Sequence, residues 1–364
     1  MNLHVRPRLM TLAISLAVLL MLLVPAMADA HEGGFYQQTN LVSDIPGMAR
    51  FTDANLVNPW GLSHSPTSPW WVSDNGTGRS TLYNGSGNAF PVGSPLAVTI
   101  PPPAGGTSSA PTGNVFNSTT DFAVSAGNPA RFIFATEDGT ISAWNPQVNV
   151  THAILKADNS ASGAVYKGLA LASNDEGNFL YASNFHAGTV DVFDANFNQV
   201  QLEGSFTDHN LPDGFAPFGI QNINGKLYVS YALQNAEKHD DVAGPGNGYV
   251  DVYDTEGHLL RRLISKGKLN SPWGMALAPG NFGRFSNALL VGNFGNGRIN
   301  AYNLHTGDFL GTLRDKNGGP IAIEGLWGLA FGNGALAGEK DELFFTAGIN
   351  DEADGLFGKI ESED

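Results

Sequence analysis

"NPWGLSHSP", residues 58–66, sets a Trp before a Gly and then runs into a short apolar strand bounded by turn residues. The same shape returns as "APTGNVFN" (110–117), "VYKGLALA" (165–172), "APFGIQNI" (216–223), "SPWGMALA" (271–278) and "GLWGLAFG" (325–332). The aligned glycines are Gly61, Gly113, Gly168, Gly219, Gly274 and Gly328, spaced 52, 55, 51, 55 and 54 residues apart. Each copy is followed by an apolar strand, a turn of Gly, Asn and Asp, and an alternating strand ending in an aromatic, which is the pattern of a hairpin. "WWVSDNGTGRSTLYN", "FIFATEDGTISAWN" and "LLVGNFGNGRINAYN" show it most clearly. A further strand follows in most copies, as in "PLAVTIP" and "LLRRLISK".

Four short strands repeating about every 50 residues are the signature of a β-propeller blade. The chain therefore reads as all-β: a six-bladed propeller of four-stranded blades. The sixth copy lacks a fourth strand, because the sequence after it ends in "FGKIESED". "FYQQTNLVSD" (35–44) is strand-like and supplies the missing one, so the N-terminal strand is expected to complete the last blade and close the ring. Trp60, Trp273 and Trp327 stand directly before their glycines, while Trp144, Phe193, Tyr253 and Tyr302 end the third strands and are expected to pack between blades.

Composition narrows the function. Arg6 and Arg8, the apolar run Leu9–Val24, Pro25 and the small residues of "AMADA" read as a signal peptide over residues 1–30, cleaved after Ala28 or Ala30. The run is shorter than the roughly 20 residues that span a bilayer, so no stable membrane insertion is expected once the signal is cleaved. Residues 31–364 then form a single exported propeller domain, periplasmic or extracellular, expected to be a monomer. The chain has no cysteine, which excludes disulfides, a thiolate nucleophile and Cys-ligated metal. Nineteen basic residues against 34 acidic ones give a net charge of −15, which argues against nucleic acid as a partner.

The polar turns between second and third strands share one face of a propeller. Four copies place an amide or carboxylate at what the repeat makes matching positions: Asn75, Glu137, Asn184 and Asn293. With His186, Trp60, Trp273 and Trp327 they make a candidate face for a small molecule, a saccharide or a protein. Oxygen ligands suit Ca²⁺ better than Zn²⁺, so Glu137, Asn184, Asn293, Asn350, Asp351, Glu352 and Asp354 are the candidate metal ligands. Within "NDEADGLFGKIE" (350–361), Asn350, Glu352, Asp354, Gly355 and Glu361 match calcium-loop positions, but no helices flank them and the stretch is expected in a hairpin, which argues against the full loop geometry and leaves a calcium held by part of the turn. Turn chemistry alone also accounts for Asn, Asp and Gly at such places.

"NLVSDIPG", "NPWGL", "FATEDGTISAWN", "NFHAGTVDVFD" and "FTAGINDEADGLFG" resemble a family of exported bacterial propellers of unknown activity, over nearly all of residues 40–358. That resemblance implies fold and export. More distantly the blades look like NHL-repeat and gluconolactonase-type six-bladed propellers, some of which bind a divalent metal at the axis and hydrolyse lactones. Two classes stay open: a non-catalytic ligand-binding or scaffold propeller, and a Ca²⁺-assisted hydrolase of lactone type.

Overall fold

The computed structural model describes Met1 and residues 34–363; the signal peptide expected over residues 1–30 lies outside the described residues apart from Met1. Six blades follow one another around an axis. Blade 1 is Pro59–Ser63, Trp70–Asp74, Arg79–Tyr83 and Ala97–Thr99. Blade 2 is Pro111–Phe116, Phe132–Thr136, Thr140–Trp144 and Ile154–Asp158, and blade 3 is Tyr166–Asn174, Gly177–Asn184, Thr189–Phe193 and Gln199–Val200. Blade 4 is Phe215–Ile223, Lys226–Leu233, Tyr249–Tyr253 and Leu259–Ser265, and blade 5 is Pro272–Leu277, Leu289–Asn293, Ile299–Tyr302 and Phe309–Thr312. Blade 6 joins Leu326–Phe331, Leu343–Ile349 and Asp354–Glu363 to the N-terminal strand Phe35–Ser43, with the two-residue strand Phe51–Thr52 added in parallel beyond it.

The closure expected from the sequence is therefore present. Phe35 pairs with Glu363 and Ser43 with Leu356 in an antiparallel ladder, so the last blade takes its outer strand from the other end of the chain.

The repeating glycines explain how six blades meet at the axis. A Cβ on Gly61 would strike the backbone of Thr112 to Asn114, and one on Gly113 that of Gly168 and Leu169. One on Gly219 would meet the carbonyl of Trp273, one on Gly274 that of Trp327, and one on Gly328 that of Trp60. Each blade thus leans on the next through a missing side chain, and the sixth returns to the first. Hydroxyls reinforce the same joints. Ser183 Oγ donates to Phe218 O (2.7 Å), Ser230 Oγ to Pro272 O (2.7 Å) and Thr112 Oγ1 to Tyr166 O (2.6 Å). Thr346 Oγ1 donates to Trp60 O across the closing joint.

Burial follows the joints. Apolar clusters fill the spaces between blades 1 and 2, 2 and 3, 3 and 4, 4 and 5, 5 and 6, and 6 and 1. Trp70 and Trp71, adjacent on one strand, point to opposite sheet faces and so enter different clusters, with blade 6 and with blade 2. Trp144, Phe193, Tyr253 and Tyr302 all lie in these inter-blade clusters. A seventh cluster sits on the axis itself.

Candidate functional site at the axial end

The axial cluster is aromatic. Trp60 stacks on Trp327 (centroids 3.4 Å apart, 18° between planes), and Trp273 meets both edge-on at 5.9 and 5.8 Å. Phe185, Phe218 and Phe294 fill in around them. Trp60 and Trp327 are 2% and 1% exposed, so these rings plug the axis and present no open stacking platform.

Lys167 lies directly against this plug. It holds the position before Gly168, the same place that Trp60, Trp273 and Trp327 hold in their own copies. Its carbonyl accepts from Trp273 Nε1 (3.1 Å), and its ammonium lies 5.0 Å from the Trp60 ring centroid. The side chain is 2% exposed, and an ammonium so placed requires compensating charge. Glu137 Oε1 supplies it at close range, and Asp240 Oδ1 adds a second contact at 3.5 Å.

The network continues through amides. Asn75 Nδ2 donates to Glu137 Oε2 (2.7 Å), and Asn58 Nδ2 donates to Glu352 Oε2 (2.7 Å) and more weakly to Asn75 Oδ1 (3.4 Å). Asn58 Oδ1 in turn accepts from Trp327 Nε1 (3.1 Å), which ties the polar layer to the aromatic one. His239 Nδ1 pairs with Asp240 Oδ1 at 2.8 Å. Blade 1 contributes Asn75, blade 2 Glu137, blade 3 Lys167, the insert of blade 4 Asp240 and the last turn of blade 6 Glu352.

Burial pushes the Glu352 carboxyl up to about 7; the Asn58 bond opposes this, and the nearby Glu137 charge adds to it. Burial also raises Asp138 and Asp241 above the usual carboxylate range. Asp240 stays below it, because burial is outweighed by the His239 hydrogen bond and the Lys167 charge.

The structure sorts the residues singled out from sequence. Asn75, Glu137 and Glu352 converge at the axis. Asn184 and Asn293 do not, and the strand register gives the reason. Asp74, Thr136, Asn184 and Asn293 pair with Pro59, Pro111, Tyr166 and Pro272, each two residues before its glycine. Asn184 and Asn293 are therefore equivalent to Asp74 and Thr136, one residue ahead of Asn75 and Glu137. The true counterparts of Asn75 and Glu137 are Phe185 and Phe294, members of the aromatic plug. A slip of one position sends a side chain in another direction. Asn184 Oδ1 accepts from Val165 N and Asn293 Oδ1 from Asn270 N, so both brace the approach to a first strand.

His186 stands against the turn at Gly163, its carbonyl accepting from Gln234 Nε2 at 3.4 Å. Asn350 Nδ2 binds Asp354 Oδ2 (2.8 Å) within their own turn, and Asp351 is exposed. Glu361 lies far along the strand, opposite Gln37, and pairs with Lys359, so residues 350–361 form a hairpin rather than a calcium loop. Asn350, Asp351 and Glu352 all have left-handed backbone (φ 54°, 53° and 65°), and this run turns Glu352 back to Asn58.

Sequence reasoning missed Lys167, Asn58, His239 and the part played by Asp240. Lys167 carried a readable signal: it is the one charged residue in a column otherwise made of Trp60, Thr112, Phe218, Trp273 and Trp327. For a metal, Glu137, His239 and Asp240 offer ligand atoms within 4.8 Å of one another. The Lys167 ammonium already bonds both carboxylates and supplies positive charge between them. Below the plug, the first strands enclose an axial cavity of about 50 Å³, lined by all six repeat glycines. The opposite mouth opens as a hollow of about 520 Å³ around Leu62, His64, Val115, Leu171 and Gln221, with no carboxylate in its wall among the described residues.

No family model matches the chain. It is 34% identical over 330 residues to the uncharacterized protein R648 of Acanthamoeba polyphaga mimivirus, covering 88% of this chain and 78% of that one. A second protein of the same virus, uncharacterized protein L690, is 33% identical over 330 residues, covering 88% of this chain and 84% of its own. The chain belongs to the family of these two proteins. Among solved structures, a streptogramin B lyase superposes with a TM-score of 0.53 at 13% identity over 91% of this chain and 98% of its own. The soluble aldose sugar dehydrogenase of Escherichia coli does so with a TM-score of 0.52 at 10% identity over 90% and 99%. These likenesses are to six-bladed propellers and concern the fold. The relatives found are viral, where the sequence motifs had suggested a bacterial family.

Proposed function

We propose that the protein is an exported, non-catalytic propeller that binds a small hydroxyl-rich or cationic molecule, of saccharide type, at the axial end above Lys167. The observation that carries this reading is a polar network from five blades, built around one buried ammonium that bonds Glu137 and Asp240. Glu137, Asp240 and Glu352 outnumber the single cation, so the local potential favours hydroxyl donors and positive groups. The amides of Asn58 and Asn75 give directional contacts in a layer with little water, where polar contacts are stronger than in bulk. Trp60 lies close enough to Lys167 to report binding through its emission. Neutral monosaccharides and amino sugars titrated into the whole protein are expected to shift tryptophan emission, with Glu352→Gln and Asn75→Ala weakening the effect about tenfold. Unchanged emission, with no heat of binding by calorimetry, sinks the reading. Export implies a mature N-terminus at Asp29 or His31 in the extracellular or periplasmic fraction, and sequencing that finds Met1 there rejects it.

A second reading rests on Glu352 alone. A carboxyl titrating near 7 beside a second, ion-paired carboxylate is placed for general acid–base work. Lactone hydrolysis is the matching chemistry, and any divalent cation it used would call on Glu137, His239 and Asp240. That reading expects aldonolactone opening whose rate bends near pH 7 and disappears in Glu352→Gln; a flat profile removes it.

A further inference from the structure

The outer flank of blade 5 carries a pocket of about 440 Å³ whose wall contains Lys268, Arg284, Arg298 and Arg314 and, among the described residues, no Asp or Glu. Its volume falls in the range of small-molecule sites, about 300–1,000 Å³. The four cations come from four separate pieces of chain. Lys268 lies in the connection into the blade, and Arg284 in the single 3-10 turn Gly283–Phe285 between its first two strands. Arg298 follows the turn after the second strand, and Arg314 follows the outer strand Phe309–Thr312. None of the four forms an ion pair among the described residues.

That is unexpected in a chain with 34 carboxylates for 19 cations. The neighbouring acid, Asp315, has its Oδ1 occupied by the amides of Asn317 and Gly319 in its own turn. The polar neutral groups of the wall are committed as well: Asn300 binds Thr312 and the carbonyl of Lys268, and Asn270 Oδ1 accepts from Gly244 N. The four cations by contrast are exposed. The Lys268 ammonium lies 5.8 Å from the Phe309 ring centroid and the Arg284 guanidinium 5.4 Å from that of Phe285; Arg314 Nη1 donates to Gly318 O (2.6 Å). Phe309 itself is 43% exposed.

Four like charges around one concavity repel each other, and an anion entering it removes that repulsion while receiving planar, paired Arg donors. A single inorganic ion leaves most of the volume and the Phe309 ring unused. We propose that this pocket binds a small sugar carrying two or more sulfate or phosphate esters, the esters held by Lys268, Arg284, Arg298 and Arg314 and the ring set against Phe309.

Calorimetry on the full chain tests this with five probes: a disulfated disaccharide, a bisphosphorylated sugar, the neutral disaccharide, sodium sulfate and a single-stranded DNA oligomer. The expected result is binding of one or both esterified sugars that weakens with salt, with the neutral parent and free sulfate at least tenfold weaker. Which esterified sugar binds more tightly fixes the ester. Arg298→Gln with Arg314→Gln, both exposed and outside the blade joints, is expected to weaken it about 100-fold, roughly tenfold for each charged contact. Equal binding of the neutral sugar, equal binding of sulfate alone, tighter binding of the DNA oligomer, or an unaffected double variant each overturns the assignment.

Discussion

At the axis one ammonium is buried among carboxylates and amides drawn from four other blades, whereas on the flank of blade 5 four exposed cations share a wall that holds no carboxylate among the described residues. The two regions solve opposite problems. Lys167 belongs to the folded structure, because its charge is compensated on site by Glu137 and Asp240. Lys268, Arg284, Arg298 and Arg314 have no ion-pair partner among the described residues. The comparison also limits what net charge teaches: a balance of −15 describes the whole surface and conceals a cationic pocket on one side of it.

The sharpest way to break the contrast is to remove charge from each region and weigh the damage. Lys167→Met should cost about 3–5 kcal/mol in urea unfolding, since it strands Glu137 without its counter-ion. Adding Glu137→Gln to that variant should return part of the loss. If Lys167→Met unfolds like the parent, the axial charge is not structural and the contrast fails.

Acid–base behaviour sharpens it next. Glu352 rises from 4.5 in the unfolded chain to about 7 in the fold, so folding favours its protonated form. The stability it contributes is complete below pH 4.5 and is lost as pH climbs through 7. Asp251, raised to about 7 mainly by burial and by Asp208, acts with the same sign. Melting temperature is therefore expected to fall between pH 5 and pH 8. Glu352→Gln should remove the first share of that fall, at most on the order of 3 kcal/mol, and leave the share of Asp251. The smallest effect belongs to the flank: Arg298→Gln with Arg314→Gln should change stability by no more than about 0.5 kcal/mol. A large loss there would show those cations to be structural after all.

The blade count and the closing strand were legible because both follow from constraints that repeat. Glycine is required wherever one blade's backbone presses on the next, so the six glycines mark their joints in plain text. The strand at residues 35–44 was visible as the one partner left for an incomplete sixth copy. The site was legible only in part. Asn75 and Glu137 stand out as polar residues in turns, but aligning them with Asn184 and Asn293 hid a one-residue offset that only paired strands reveal. Asp240 and His239 lie in an insert that has no counterpart in the other copies, so the repeat says nothing about them. The cationic pocket was invisible, because its four residues lie 14 to 16 positions apart and meet only when blade 5 folds.

The ladder between Phe35–Ser43 and Asp354–Glu363 sets the order in which the molecule is finished. The strand that leaves the ribosome early has no mate until more than 300 further residues have followed it. Five blades can assemble as they emerge, each against its predecessor, while the sixth waits for a segment already made. Loop-closure entropy grows slowly with length, so the delay costs little at equilibrium. It costs time, because contacts so distant in sequence form late. The ring behaves like a clasp whose first half is forged at the start and fastened only when the whole band is complete.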